Sequence, residues 1–268
     1  METLDSESVL TTLPRPPFSR THPTLATILQ GKLDLGRQMM KRMLAIWAAV
    51  GLASTTVFAM SREVKVKDRL DASEDTLIDM MHASDHGIPH NLLVHARCVI
   101  IVPGMKKAGF MVGAKYGRGF AACRNTGGLG WTAPAAIRVE GGSFGLQIGV
   151  SETDILLLVM NERGMKHLLS DRFTIGVDAS AAVGPLGRES TAQTDVSMHA
   201  EMLSYSRSRG LFAGISLDGA TLRPDHETIR KLYARDVSNR EILAGEFKTP
   251  ASARRFERAL NQTSQRRR

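Results

Sequence analysis

The chain has 268 residues, 35 Lys/Arg against 27 Asp/Glu, a net charge of +8 and a pI near 9.8. With 43% hydrophobic and 23% charged residues it has a globular composition, long enough for one large domain or two small ones with a buried core. Aromatics make up only 5% while glycines number 24, which speaks against a base-stacking nucleic-acid platform and for closely packed β-structure; the basic balance admits an acidic partner without choosing one.

Residues 1–38 carry Pro14, Pro16, Pro17 and Pro23 among polar residues without sustained periodicity, and are expected to be an extension upstream of the true start, or disordered chain. Met40-Lys41-Arg42 then supplies a short positive region, Met43–Leu52 an apolar stretch, and Val57-Phe58-Ala59 small residues at −3 and −1. This is the layout of a secretory signal peptide over 39–59. The expectation is an exported protein, periplasmic or secreted, cleaved near Ala59 and able to associate peripherally with membrane. An uncleaved anchor over Met43–Ala59 is the alternative, at the lower limit of a span and interrupted by Ser54, Thr55 and Thr56. Met60, not a cysteine, follows the cleavage point, which speaks against lipid attachment. Six of the 35 Lys/Arg and four of the 27 Asp/Glu lie in residues 1–59, so cleavage leaves a net charge of +6. Export permits a bond between Cys98 and Cys123, although cysteines in apolar strand-like runs favour buried thiols.

Residues 61–84 place Val66, Leu70, Leu77, Met80 and Met81 at helical spacing. Pro89 opens a second short helix, PHNLLVHAR. CVIIVP reads as a buried strand ended by a turn at Pro103-Gly104, and AGFMVGAKYG and GFAACRN as short strands. Residues 135–150 and 153–160 continue in the same manner. Asn161 caps a short helix through Leu169. FTIGVDASAAVG and the alternating VSMHAEM return to strand, and YSRSRGLFAG continues it through a turn at Gly210. Residues 225–243 read as one C-terminal helix, and the Arg-rich chain beyond Pro250 as fraying. The fold class is α+β: a single domain over 60–245 with an antiparallel sheet or barrel-like core, helices at both ends, and a basic tail over 246–268.

Catalytic motifs are weak. Gly141-Gly142-Ser143-Phe144-Gly145 fits G-x-S-x-G, but Leu146, Ile148 and Val150 alternate where that motif requires a helix. His86, His90 and His95 are spaced by four and five, yet Gly87 and Pro89 interrupt the first interval, no glutamate lies inside the cluster and no cysteine partner stands at zinc-like spacing. No cofactor, metal or catalytic residue is expected. Lys106, Lys107, Arg118, Arg124, Arg188, Arg207 and Arg209 recur beside glycine-rich turns, where exposed backbone N–H groups and basic side chains can cradle phosphate together.

Lys107–Phe110, Gly117-Arg118-Gly119, Gly130–Pro134, Phe144–Gly149, Asp154, Gly184–Arg188 and Tyr205–Gly214 resemble, in order, the SYLF family of Ysc-type actin regulators. One departure is Ile229, where the family usually has Asn four residues before a tyrosine. The resemblance implies a non-enzymatic domain that binds anionic phospholipid, phosphoinositide in eukaryotic members and a phosphatidylglycerol- or cardiolipin-like lipid in an exported one. The seven basic residues are its candidate contacts. The first helix is a candidate for membrane contact, weakened by six acids in 61–84, and Met80, Met81, Leu92 and Leu93 are candidates for apolar insertion. The alternative is a protein-interaction module, actin-binding in eukaryotic relatives and facing an envelope protein after export. No nucleic-acid partner is expected.

Overall fold

The computed structural model describes residues 65–83, 87–110, 112–127, 130–144, 149–187, 200–208, 211–212 and 217–265, within the compact unit Ala59–Arg268. The expected leader, His86, Arg188, Arg209 and most of VSMHAEM lie outside the described residues.

Helix α1 spans 65–82 and α2 spans His90–His95, entered at Pro89 as expected. Nine strands follow among the described residues: β1 Cys98–Phe110, β2 Val112–Cys123, β3 Ala135–Phe144, β4 Gly149–Val159, β5 Phe173–Thr174, β6 Ala181–Val183, β7 Met202–Ser208, β8 Leu211–Phe212 and β9 Ala220–Pro224. They form one curled sheet in the order β5-β9-β3-β2-β1-β4-β7-β6, with β8 paired to β7. Every pairing is antiparallel except β6 with β7, which makes the sheet mixed. The architecture is α+β.

Cys98–Val102 and Ile155–Val159 are buried at every position, not at alternate ones, so both faces of the central strands are covered. That is why CVIIV and ILLLV read as unbroken apolar runs. Pro103-Gly104 does not end the strand. β1 continues to Phe110 through an irregularity at which its register against β2 shifts between Ile101 and Lys106. Gly104 takes φ +55, a left-handed conformation suited to glycine, and its N–H donates to Asp154 Oδ1 at 2.8 Å. Opposite the bulge the backbones crowd: a Cβ at Gly119 would collide with the Ile101 carbonyl oxygen.

Cys98 and Cys123 face each other across β1 and β2 and form a disulfide, correcting the expectation of two buried thiols. Their apolar setting is as expected; antiparallel registry, invisible in the sequence, makes the two neighbours.

Asn161 caps α3 (Glu162–Leu168), its side-chain oxygen accepting from the N–H groups of Arg163 and Gly164 at 3.1 Å. The single helix expected over 225–243 is two, α4 (His226–Tyr233) and α5 (Asn239–Leu243). Ala234 breaks it at φ 56, and Ser238 restarts it with a reciprocal capping box to Glu241. The segment expected to fray is a 3-10 turn at Ala251–Ala253 and helix α6 at Arg254–Thr263. Phe256, Ala259 and Leu260 form its buried stripe, and the Trp131 indole donates to Ser264 Oγ at 2.8 Å just past its end. Apolar residues at positions i, i+3 and i+4 give this otherwise polar helix one face that docks.

Candidate basic surface

Beyond the bulge, β1 presents Lys106 exposed and Lys107 half-buried. Lys106 stands opposite Tyr116 on β2 and Glu152 on β4; Lys107 stands opposite Lys115 and Ser151. Neither Lys106 nor Lys107 forms an ion pair with a described residue. Lys115 is buried at 5% exposure and donates to the Asp218 carbonyl at 3.3 Å. Burial first, and the charge of Lys107 second, hold its ammonium below the ordinary lysine range. Like charges directly opposed across strands repel, so this stretch concentrates positive potential.

The other candidates are engaged in holding the fold. Arg118 pairs with the buried Asp225 at 3.6 Å and with Glu227 at 3.5 Å, and donates to the Tyr116 hydroxyl, the contact that raises its affinity for its proton most. Asp225 in turn caps α4, accepting from Thr228 N–H and from its hydroxyl. Arg124 lies over the Trp131 ring, 4.2 Å from its centre, and donates to the carbonyls of Leu93 and Val94 at the end of α2. Arg207 binds Asp79 of α1 at 2.7 Å. The sequence reading missed Arg138 and Arg223, which align with Arg118 in one row across β2, β3 and β9. Glu140 sits between them, 3.1 Å from Arg138 and 2.9 Å from Arg223, and with the Asp225 and Glu227 partners of Arg118 it matches the three arginines of the row with three carboxylates.

The first helix is not available as an insertion face. Val66, Leu70, Leu77 and Met80 are buried, as are Leu92 and Leu93 of α2. Three polar contacts fix α1 to the domain: Arg69 to Thr228 at 3.2 Å, Asp79 to Arg207, and Glu74 to Arg255 at 3.0 Å. Its apolar stripe is core, and Arg69, Glu74 and Asp79 are its anchors.

Ser143 lies within β3, and the next described element is strand β4. Among the described residues no group of three or more His, Cys, Asp or Glu side chains converges as a metal site, and no helix is long and apolar enough to cross a membrane.

The family model of Ysc84, described as Las17-binding protein actin regulator, matches residues 140–263, from within β3 to the end of α6. The chain belongs to the Ysc84 (SYLF) family. SH3 domain-containing YSC84-like protein 1 of Xenopus laevis is 35% identical over 190 residues, 70% of this chain and 56% of that protein. The human protein of the same name is 35% identical over 181 residues, 67% of this chain and 52% of that one. Protein YSC84 of Saccharomyces cerevisiae is 32% identical over 178 residues, 65% of this chain and 38% of its own length. The chain thus spans about half the length of the animal relatives and less of the yeast one. None of these names states an enzymatic activity.

Proposed function

We propose that this SYLF domain is a non-enzymatic module that binds anionic phospholipid surfaces. The observation that carries the reading is the basic stretch of β1 and β2, where Lys107 opposes Lys115 and an exposed Lys106, in no ion pair with a described residue, adjoins them. An anion relieves the repulsion of such a group, and a bilayer supplies many anions at once. Each lysine near an anionic surface contributes about 1 kcal/mol, so Lys106→Gln/Lys107→Gln weakens binding about thirtyfold. Co-sedimentation with phosphatidylcholine vesicles, with and without phosphatidylglycerol, checks this. Equal recovery of the wild type with both compositions, or recovery with neither, overturns the reading.

Export belongs to the same proposal. The Cys98–Cys123 bridge supports it, because oxidising compartments retain such bonds and the cytosol does not. Mass spectrometry of the mature N-terminus tests it, with Met60 as the expected first residue.

The family description, with its reference to actin regulation, favours a second reading, a protein-interaction module. Co-sedimentation with filamentous actin, and pull-down from envelope extract stripped of lipid, separate it from the first: a protein partner retained without lipid supports it.

A further inference from the structure

The sheet is unequal along its strands. At one end Cys98 pairs with Cys123 and with Val159, and Val159 pairs with Met202; all four are at most 2% exposed. The buried Trp131 also lies there, bridged to Arg124 just past β2. At the other end large apolar side chains face solvent. Val150 opposes Ala108 near the start of β4 and is 80% exposed. β7 runs antiparallel to β4 toward this end and hairpins into β8, where Leu211 opposes Ser208 and is 74% exposed. On the far flank β5 runs past Thr174 in the same direction, and Val177 in the turn that follows is 79% exposed. Ala108 itself is exposed, and Lys107 and Lys106 stand one and two residues before it.

We propose that this rim, at Val150 and Leu211, is the edge that enters the headgroup layer of an anionic bilayer. The inference rests on the lipid-binding reading above and adds the surface, the orientation and the apolar contribution. Charge selects the occupant. Lys106 stands opposite the acid Glu152 on β4 while Lys107 stands opposite Ser151, and Lys115 adds a third cation in the next strand, so the rim is basic where it is apolar. Lysine heads at headgroup depth with valine and leucine beyond them match the layering of a bilayer interface. The strands then stand steeply on the membrane, with the disulfide end away from it.

The test uses the full chain and vesicles of phosphatidylcholine with or without phosphatidylglycerol. Val150→Ser/Leu211→Ser alters only exposed side chains, so the melting temperature stays at the wild-type value while partition to anionic vesicles falls about tenfold or more. A Leu211→Trp variant shifts its emission to the blue on binding and is quenched by brominated acyl chains. If the wild type sediments with anionic vesicles and the serine variant does so equally, or the emission of the Leu211→Trp variant does not move, the rim is overturned and the lipid-binding reading stands. If the wild type sediments with neither composition, that reading falls and the rim with it. A dimer in light scattering that the serine variant abolishes, without vesicle binding, assigns the surface to a second copy and overturns the proposal.

Discussion

Lys115 shows how a single side chain can be both part of the packing and part of the charge. Its stem is buried between β1 and β3 while its ammonium stays within reach of the Asp218 carbonyl and faces Lys107. Because its folded-state proton affinity lies below that of the unfolded chain, the unfolded chain holds more protons between the lowered value and 10.5. Its contribution to stability therefore rises with pH through that window. Chemical denaturation of wild type and Lys115→Met at a series of pH values should show wild type gaining on the variant as pH approaches 10.5; a pH-independent difference removes the assignment. Arg118, Arg124 and Arg207 behave differently. Their partners are carboxylates, carbonyls and an aromatic ring contributed by other elements, so the fold uses their charge internally.

At the scale of elements, the features that sequence made legible are those whose cause is local. The Asn161 cap, the Pro89 entry and the 3.6-residue spacing of α1 each depend on a handful of neighbouring residues, and each stands at its expected place. The bulge at Pro103-Gly104 was not legible because it depends on Asp154, fifty residues away, accepting the Gly104 N–H. The break at Ala234 was hidden because alanine gives no hint of a left-handed turn. Within the candidate surface, Lys106 and Lys107 could be found from their place in the chain. The engagement of Arg207 could not: its partner Asp79 is 128 residues earlier. Nor could the exposure of Val150 and Leu211, since an alternating strand does not state which face is covered. Helix α6 gives this scale its test. Ser264→Ala leaves the buried Trp131 N–H without its acceptor, and urea denaturation should register a loss of about 1–3 kcal/mol. A smaller change would mean that the stripe of Phe256, Ala259 and Leu260 alone docks the helix.

For the molecule as a whole, the bridge between Cys98 and Cys123 closes a loop with a separation of 25 residues in the sealed end of the sheet. Cys98→Ala/Cys123→Ala should lower the unfolding free energy by about 3 kcal/mol, read from denaturant midpoints. Reductant applied under native conditions should leave the wild type unchanged, since neither sulfur-bearing residue is more than 2% exposed; rapid loss of the bridge there would contradict the burial. The anchoring of α1 bears on the order in which the chain can fold. Arg207, Thr228 and Arg255 all lie far downstream, the last 181 residues beyond its partner Glu74. At ribosomal speeds of about 5–20 residues per second, roughly 10–40 s separate the synthesis of Glu74 from that of Arg255. During that interval the apolar stripe of α1 lacks the elements that clamp it down. A nascent chain of this kind cannot clamp α1 in place until α6 has been made, which leaves a window in which a chaperone can receive it incompletely packed.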